Sequence, residues 1–107
     1  MPRVCFVVNP IAGKGRALAE WKKIEPVAAQ LGDYAVRFTE RPGHATELAR
    51  EAVRQGYDRV VSMGGDGTLN EVGNGLMGSG AALAVIPAGT GNDWARTSGV
   101  PRDSAEG

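Results

Sequence analysis

One cysteine and one histidine occur among the 107 residues, and 12 Lys+Arg balance 12 Asp+Glu to give no formal net charge. The charge balance argues against a strongly basic nucleic-acid binder or a polybasic membrane anchor. A single cysteine cannot form an internal disulfide. Cys5 lies inside an apolar segment, where a small buried hydrophobe is expected and not a reactive thiol, in keeping with a reducing, cytoplasmic setting. Apolar runs such as Val4-Cys5-Phe6-Val7-Val8 fall far short of the roughly 20 residues needed to span a bilayer, and Met1-Pro2-Arg3 carries no signal-peptide pattern. Internal repeats and low-complexity tracts are also absent. The length suits one domain with a modest core.

Glycine is what the sequence has in excess. There are 16, about twice the usual ~7% share, and nine of them fall between Gly64 and Gly91. Around them, strand and helix signals alternate. Val4 to Val8 reads as a strand buried on both faces. From Arg16 to about Leu31, apolar residues recur at helical spacing; Pro26 is expected to kink or restart that helix and Gly32 to cap it. Tyr34 to Phe38 alternates as a half-exposed edge strand would. Ala45, Leu48, Ala49, Ala52 and Val53 mark a second helix ending at Gly56. Arg59 to Met63 is a third strand. A third helix is predicted from about Thr68 to Met77, with Gly73 and Gly75 costing it roughly 1 kcal/mol each relative to alanine, which suggests close packing. Leu83 to Ile86 is a fourth strand. The order predicts an α/β fold: a doubly wound, mostly parallel sheet with helices on both faces.

In such sheets ligands bind beyond the carboxyl ends of the strands, and every glycine-rich or polar cluster here falls at one. Asn9 to Gly15 follows strand one, Thr39 to His44 strand two, Gly64 to Thr68 strand three and Pro87 to Asp93 strand four. The third loop is the most informative. Gly64, Gly65 and Gly67 permit left-handed or crowded backbone, so that amides can converge on an anion just where a helix N-terminus begins. Asp66 would repel a phosphate unless a cation lies between, which points to Mg²⁺. The plainer alternative is a tight turn with Thr68 as N-cap and Glu71 completing a capping box. Gly13-Lys14-Gly15 lacks the Walker spacing, so Lys14 reads as a solvated loop lysine or a phosphate contact. Gly89, Thr90, Gly91 and Asn92 fit either turn chemistry or a site. Thr39 reads as a strand-end threonine, His44 as a surface or capping residue, Trp21 as core, and Trp94 as packing against the fourth loop.

Together, Asn9-Pro10 with Gly13-Lys14-Gly15, Thr39 with His44-Ala45, Gly64-Gly65-Asp66-Gly67-Thr68-Leu69-Asn70-Glu71-Val72 and Pro87-Ala88-Gly89-Thr90-Gly91-Asn92-Asp93 resemble the diacylglycerol kinase catalytic domain, most nearly that of bacterial soluble lipid kinases. The resemblance runs through nearly the whole chain in order and spacing. It implies ATP-dependent phosphorylation of a lipid hydroxyl, with ATP and Mg²⁺ required and a fold like the first domain of phosphofructokinases and NAD kinases. By analogy Thr39, Gly64, Gly65, Asp66, Gly67, Thr68, Leu69, Asn70, Glu71, Gly89 and Thr90 would contact the nucleotide. Asn9 and Asn70 would help position it, and Asp66 would act at the phosphates and Mg²⁺.

Members of that family carry a second, β-rich domain with the catalytic base and much of the lipid pocket. Residues 1–107 are therefore expected to form the nucleotide-binding domain alone, with the C-terminal β-rich domain absent from this chain, and to be inactive in isolation. The lipid would be met transiently at the membrane surface through that other domain; no nucleic-acid partner is expected, and a homodimer is left open. Two alternatives stand beside this one: a kinase for a soluble substrate, NAD kinase-like, since the GGDGT loop occurs there too, and a non-catalytic nucleotide-binding module.

Overall fold

The computed structural model describes residues 3–30 and 32–87. Four strands, β1 (Val4–Val8), β2 (Tyr34–Phe38), β3 (Arg59–Gly64) and β4 (Ala82–Pro87), alternate with three helices, α1 (Arg16–Gln30), α2 (His44–Arg54) and α3 (Asp66–Leu76). All strand pairs are parallel, in the spatial order β2-β1-β3-β4. The chain first steps from β1 to β2, then returns across β1 to β3 and continues to β4. With right-handed crossovers, that reversal sends α1 to one face and α2 and α3 to the other. The doubly wound expectation holds.

The five residues of β1 are all buried, as a central strand covered on both faces requires. Val4, Phe6 and Val8 pack with Ala17, Trp21 and Ala28 of α1 and with Val61 and Met63 of β3. This face is filled by large rings: the Phe6 and Trp21 centroids lie 4.8 Å apart, with Tyr34 6.3 Å from Phe6 and 6.1 Å from Trp21. Cys5 and Val7 point the other way, into Ala45, Ala49 and Ala52 of α2 and Val72 and Leu76 of α3. Small residues here bring α2 and α3 close together. A Cβ at Gly75 would stand 2.5 Å from the Thr46 carbonyl oxygen and 2.8 Å from the Ala49 Cβ. At Gly73 the nearest atom would be Leu83 Cδ2, at an ordinary 3.9 Å. Close packing thus explains Gly75 and not Gly73.

The helix does not restart at Pro26: α1 runs through it as one helix. Pro26 and Lys22, whose carbonyl loses its amide partner, both face solvent, so water can take the freed acceptor. Gly32 has the left-handed φ of 98° expected of a helix-ending glycine; Leu31 lies outside the described residues. β2 is an edge strand, as its alternation predicted, and β4 forms the other edge, with Leu83 44% exposed. At the amino end of the sheet, Arg3 ties the strands' entry loops together. Its Nε donates to Asp33 at 2.7 Å, its backbone N–H to Asp58 at 3.0 Å, and its guanidinium lies 4.3 Å over the Tyr57 ring. The carboxyl end is built differently.

Candidate functional site

Where β1 and β3 lie side by side, the loops leaving them run to opposite faces of the sheet, and an α/β sheet opens a crevice at such a point. Asn9 sits at its base. Its backbone N–H donates to the Met63 carbonyl at 2.9 Å, its Oδ1 accepts from the Ile11 N–H at 3.3 Å, and its Nδ2 donates to Thr68 Oγ1 at 3.4 Å. One side chain therefore spans from β1 to the first turn of α3. Beside it, the Thr39 N–H donates to the Val8 carbonyl at 2.9 Å, which sets Thr39 at the rim of the same crevice.

Thr68 is not the N-cap of α3. The helix begins two residues earlier, at Asp66, with Gly65 as an extended N-cap that makes no side-chain cap hydrogen bond. The Thr68–Glu71 capping box, the plainer alternative, is absent because both side chains have other partners. Thr68 is buried against Asn9, and the Glu71 carboxylate accepts the Gly43 N–H at 3.0 Å. Gly64 makes room for this, since a Cβ there would lie 2.5 Å from Thr68 Oγ1. Left-handed or crowded backbone was foreseen for this loop, and of the two it is crowding that is found, at Gly64. Gly64, Gly65 and Gly67 all lie outside the left-handed region. Left-handed residues gather instead in the first loop, at Gly13 (φ 63°), Lys14 (59°) and Gly15 (91°).

Gly65 and Gly67 have nothing within 4 Å of the place a Cβ would occupy. Their backbone borders open space at the first turn of α3, where helix amides have no intrahelical partners and the macrodipole favours an anion. Asp66 stands between them, exposed.

Two hollows flank this turn. A cleft of about 540 Å³ is lined by Asn9, Ile11, Thr39, Glu40, Arg41, Pro42, Thr68 and Glu71. A shallower depression of about 530 Å³ is lined by Asp66, Gly67, Leu69 and Asn70. The residues expected at a nucleotide thus divide: Asn9, Thr39, Thr68 and Glu71 share the cleft, while Asp66, Gly67, Leu69 and Asn70 share the depression. Lys14 is exposed and lines neither. Ile11, Glu40, Arg41 and Pro42 were not singled out as site residues. The sequence located their loops at strand ends, but not how far the loops lean over the β1–β3 crevice.

His44 is a capping residue of a local kind: its Nδ1 accepts the Glu40 N–H at 2.9 Å. Trp21 is core, 3% exposed. Cys5 is fully buried, and burial raises its thiol pKa, an effect that Arg37 partly offsets. Gly89, Thr90, Gly91, Asn92, Asp93 and Trp94 lie outside the described residues. Among the described residues no three His, Cys, Asp or Glu side chains are grouped to hold a metal ion, and no helix is long and apolar enough to cross a membrane.

A parallel sheet with a glycine-flanked helix N-terminus beside its crevice defines a doubly wound α/β protein. The particular family follows from comparison with known proteins. Residues 3–107 match the diacylglycerol kinase catalytic domain, and the chain belongs to that family. It is 38% identical over 109 residues to the diacylglycerol kinase of Bacillus subtilis (strain 168), covering 96% of this chain and 35% of that protein. A crystal structure of a diacylglycerol kinase from Bacillus anthracis str. Sterne superposes with a TM-score of 0.72 at 39% identity, over 97% of this chain and 39% of the other. The solution structure of a phosphate-loop protein shares the fold at 22% identity, with a TM-score of 0.64 over 90% of this chain and 84% of that one. The chain spans about a third of the length of the kinases it matches.

Proposed function

We propose that this chain supplies the ATP- and Mg²⁺-binding part of a kinase that phosphorylates a lipid hydroxyl, diacylglycerol being the first candidate, at the membrane surface. The observation that carries the proposal is the open backbone of Gly65 and Gly67 on either side of Asp66 at the uncapped start of α3. A phosphate chain can come within hydrogen-bond reach of these amides because no side chain stands in the way. The exposed Asp66 carboxylate would help hold a divalent cation beside the phosphates; among the described residues no three His, Cys, Asp or Glu side chains are grouped to hold a metal ion, and phosphate and water oxygens would supply further ligands. When bound, the ion would neutralise charge on the transferring group.

The chain's own residues then do positional work. Asn9 and Thr68 form the crevice floor, Thr39 stands at its rim, and Leu69 and Asn70 flank the phosphate end. Gly89 and Thr90 are assigned to the nucleotide by their motif. In phosphoryl transfer, positioning and charge neutralisation supply most of the rate. The lipid hydroxyl, and the base that takes its proton, are assigned to the part of the protein beyond this chain, with residues 1–107 forming its nucleotide-binding domain. Radiolabelled ATP supplied to the full-length protein with diacylglycerol vesicles tests this. Label in the lipid fraction that depends on Mg²⁺ is expected; label only in a soluble acceptor such as NAD, or in none, would reject it.

A further inference from the structure

Glu71 was expected at the nucleotide and lines the cleft, but one of its carboxylate oxygens and its carbonyl are engaged by α2 and the turn before it. One carboxylate oxygen accepts the Gly43 N–H at 3.0 Å, and its backbone carbonyl accepts the Thr46 hydroxyl proton at 2.8 Å. Both bonds run from α3 to the start of α2. Gly43 is left-handed, with φ 82°, and caps α2 with no side-chain hydrogen bond. The turn from Glu40 to Gly43 that walls the cleft is therefore anchored at two ends. Thr39 is tied to β1 through the Val8 carbonyl, and Gly43 is tied to α3 through Glu71. His44 with Glu40, and Arg41 with Glu47 at 2.7 Å, brace the turn against α2. The bond from Glu71 fixes it relative to the Asn9–Thr68 floor.

We propose that Glu71 is a positioning residue: its carboxylate holds the 40–43 wall at the separation from Asn9 and Thr68 that a nucleotide requires. A carboxylate suits the task because a charge-assisted bond to a backbone amide is shorter and stronger than a neutral one. The proposal rests on the cleft being a nucleotide site, but the tie to Gly43 can be tested apart from it.

Glu71→Gln keeps an acceptor oxygen and removes the charge, whereas Glu71→Ala removes both. In the full-length protein, two quantities are measured for each: hydrogen exchange at the Gly43 amide, and Mg·ATP affinity by calorimetry at several Mg²⁺ concentrations. Loss of a hydrogen bond to a charged group corresponds to roughly tenfold or more. Glu71→Ala is therefore expected to speed Gly43 exchange and weaken Mg·ATP by about tenfold or more each. Glu71→Gln should restore both to within about threefold of the parent, with the same Mg²⁺ dependence. Should Glu71→Ala not fold, Glu71→Met keeps the length without an acceptor and takes its place.

A Glu71→Gln protein as impaired for Mg·ATP as Glu71→Ala, with Gly43 still protected, would overturn the proposal and make Glu71 a direct contact. Gly43 exchange unchanged in Glu71→Ala would overturn it as well. If the parent binds no Mg·ATP, the nucleotide assignment fails, and the positioning role with it. Gly43 exchange would then still show whether the tie is present as a purely structural contact.

Discussion

Gly67 and Gly75 lie on the same helix, eight residues apart, and are glycine for opposite reasons. At Gly75 a Cβ would meet protein, namely the Thr46 carbonyl and the Ala49 Cβ. At Gly67 it would meet nothing within 4 Å. The first glycine lets α2 and α3 touch, and its value lies in stability. The second gives the fold nothing that alanine would not, and costs helix propensity. The proposed function accounts for it: the space left at the helix N-terminus would admit a phosphate. Helix α3 thus has a crowded end that packs on α2 and an open end that the proposed function gives to a phosphate.

Substitutions along the helix should separate these two roles. The largest effect is expected at the open end. Asp66→Ala should lower lipid phosphorylation by the full-length protein by roughly 10²–10³-fold, the usual cost of removing one electrostatic stabiliser, while thermal unfolding stays where it was. Next comes the crowded end. Gly75→Ala should destabilise by about 1–3 kcal/mol in urea unfolding, since the strain of overpacking exceeds the gain in helix propensity, and Mg·ATP affinity of the folded fraction should not change. Gly73→Ala, two residues away with only Leu83 at contact distance, should do the reverse and stabilise by about 0.5–1 kcal/mol. Equal signs at Gly73 and Gly75 would erase the distinction drawn from packing.

The smallest effect is expected beneath this same helix pair, at Cys5. Burial raises its thiol pKa, so the folded state favours the protonated thiol. The contribution of Cys5 is complete below the ordinary thiol range, about 8.5, and is lost as pH rises from there through the folded value. Any advantage of the parent over Cys5→Ala in urea midpoint should be constant below that pH and should shrink as pH rises above it.

Much of this was legible in the sequence, because strands and helices announce themselves through burial periodicity. The uninterrupted run at Val4–Val8 and the alternation at Tyr34–Phe38 gave a central and an edge strand. The spacing of Ala45, Ala49 and Ala52 gave the buried face of α2. Misreadings arose where a side chain had two local options and a distant residue decided between them. Thr68 and Glu71 are spaced as a capping box, yet Asn9, 59 positions from Thr68, and Gly43, 28 from Glu71, claim them. Pro26 signals a break that its exposed position makes tolerable. In the Gly64–Gly67 turn, composition showed that side chains were excluded. It could not show whether the reason was left-handed backbone, a close neighbour or an empty approach, and only the last two are found, at different glycines.

The assignment of the open end to a nucleotide is tested most directly by calorimetric titration of Mg·ATP into the parent protein and Gly67→Ala, with thermal unfolding recorded for both. Saturable binding is expected in the parent, with a loss of about tenfold or more, roughly 1.4 kcal/mol, in Gly67→Ala and an unfolding temperature that is equal or higher. Equal affinity in the two proteins, or no binding in the parent, would contradict the account.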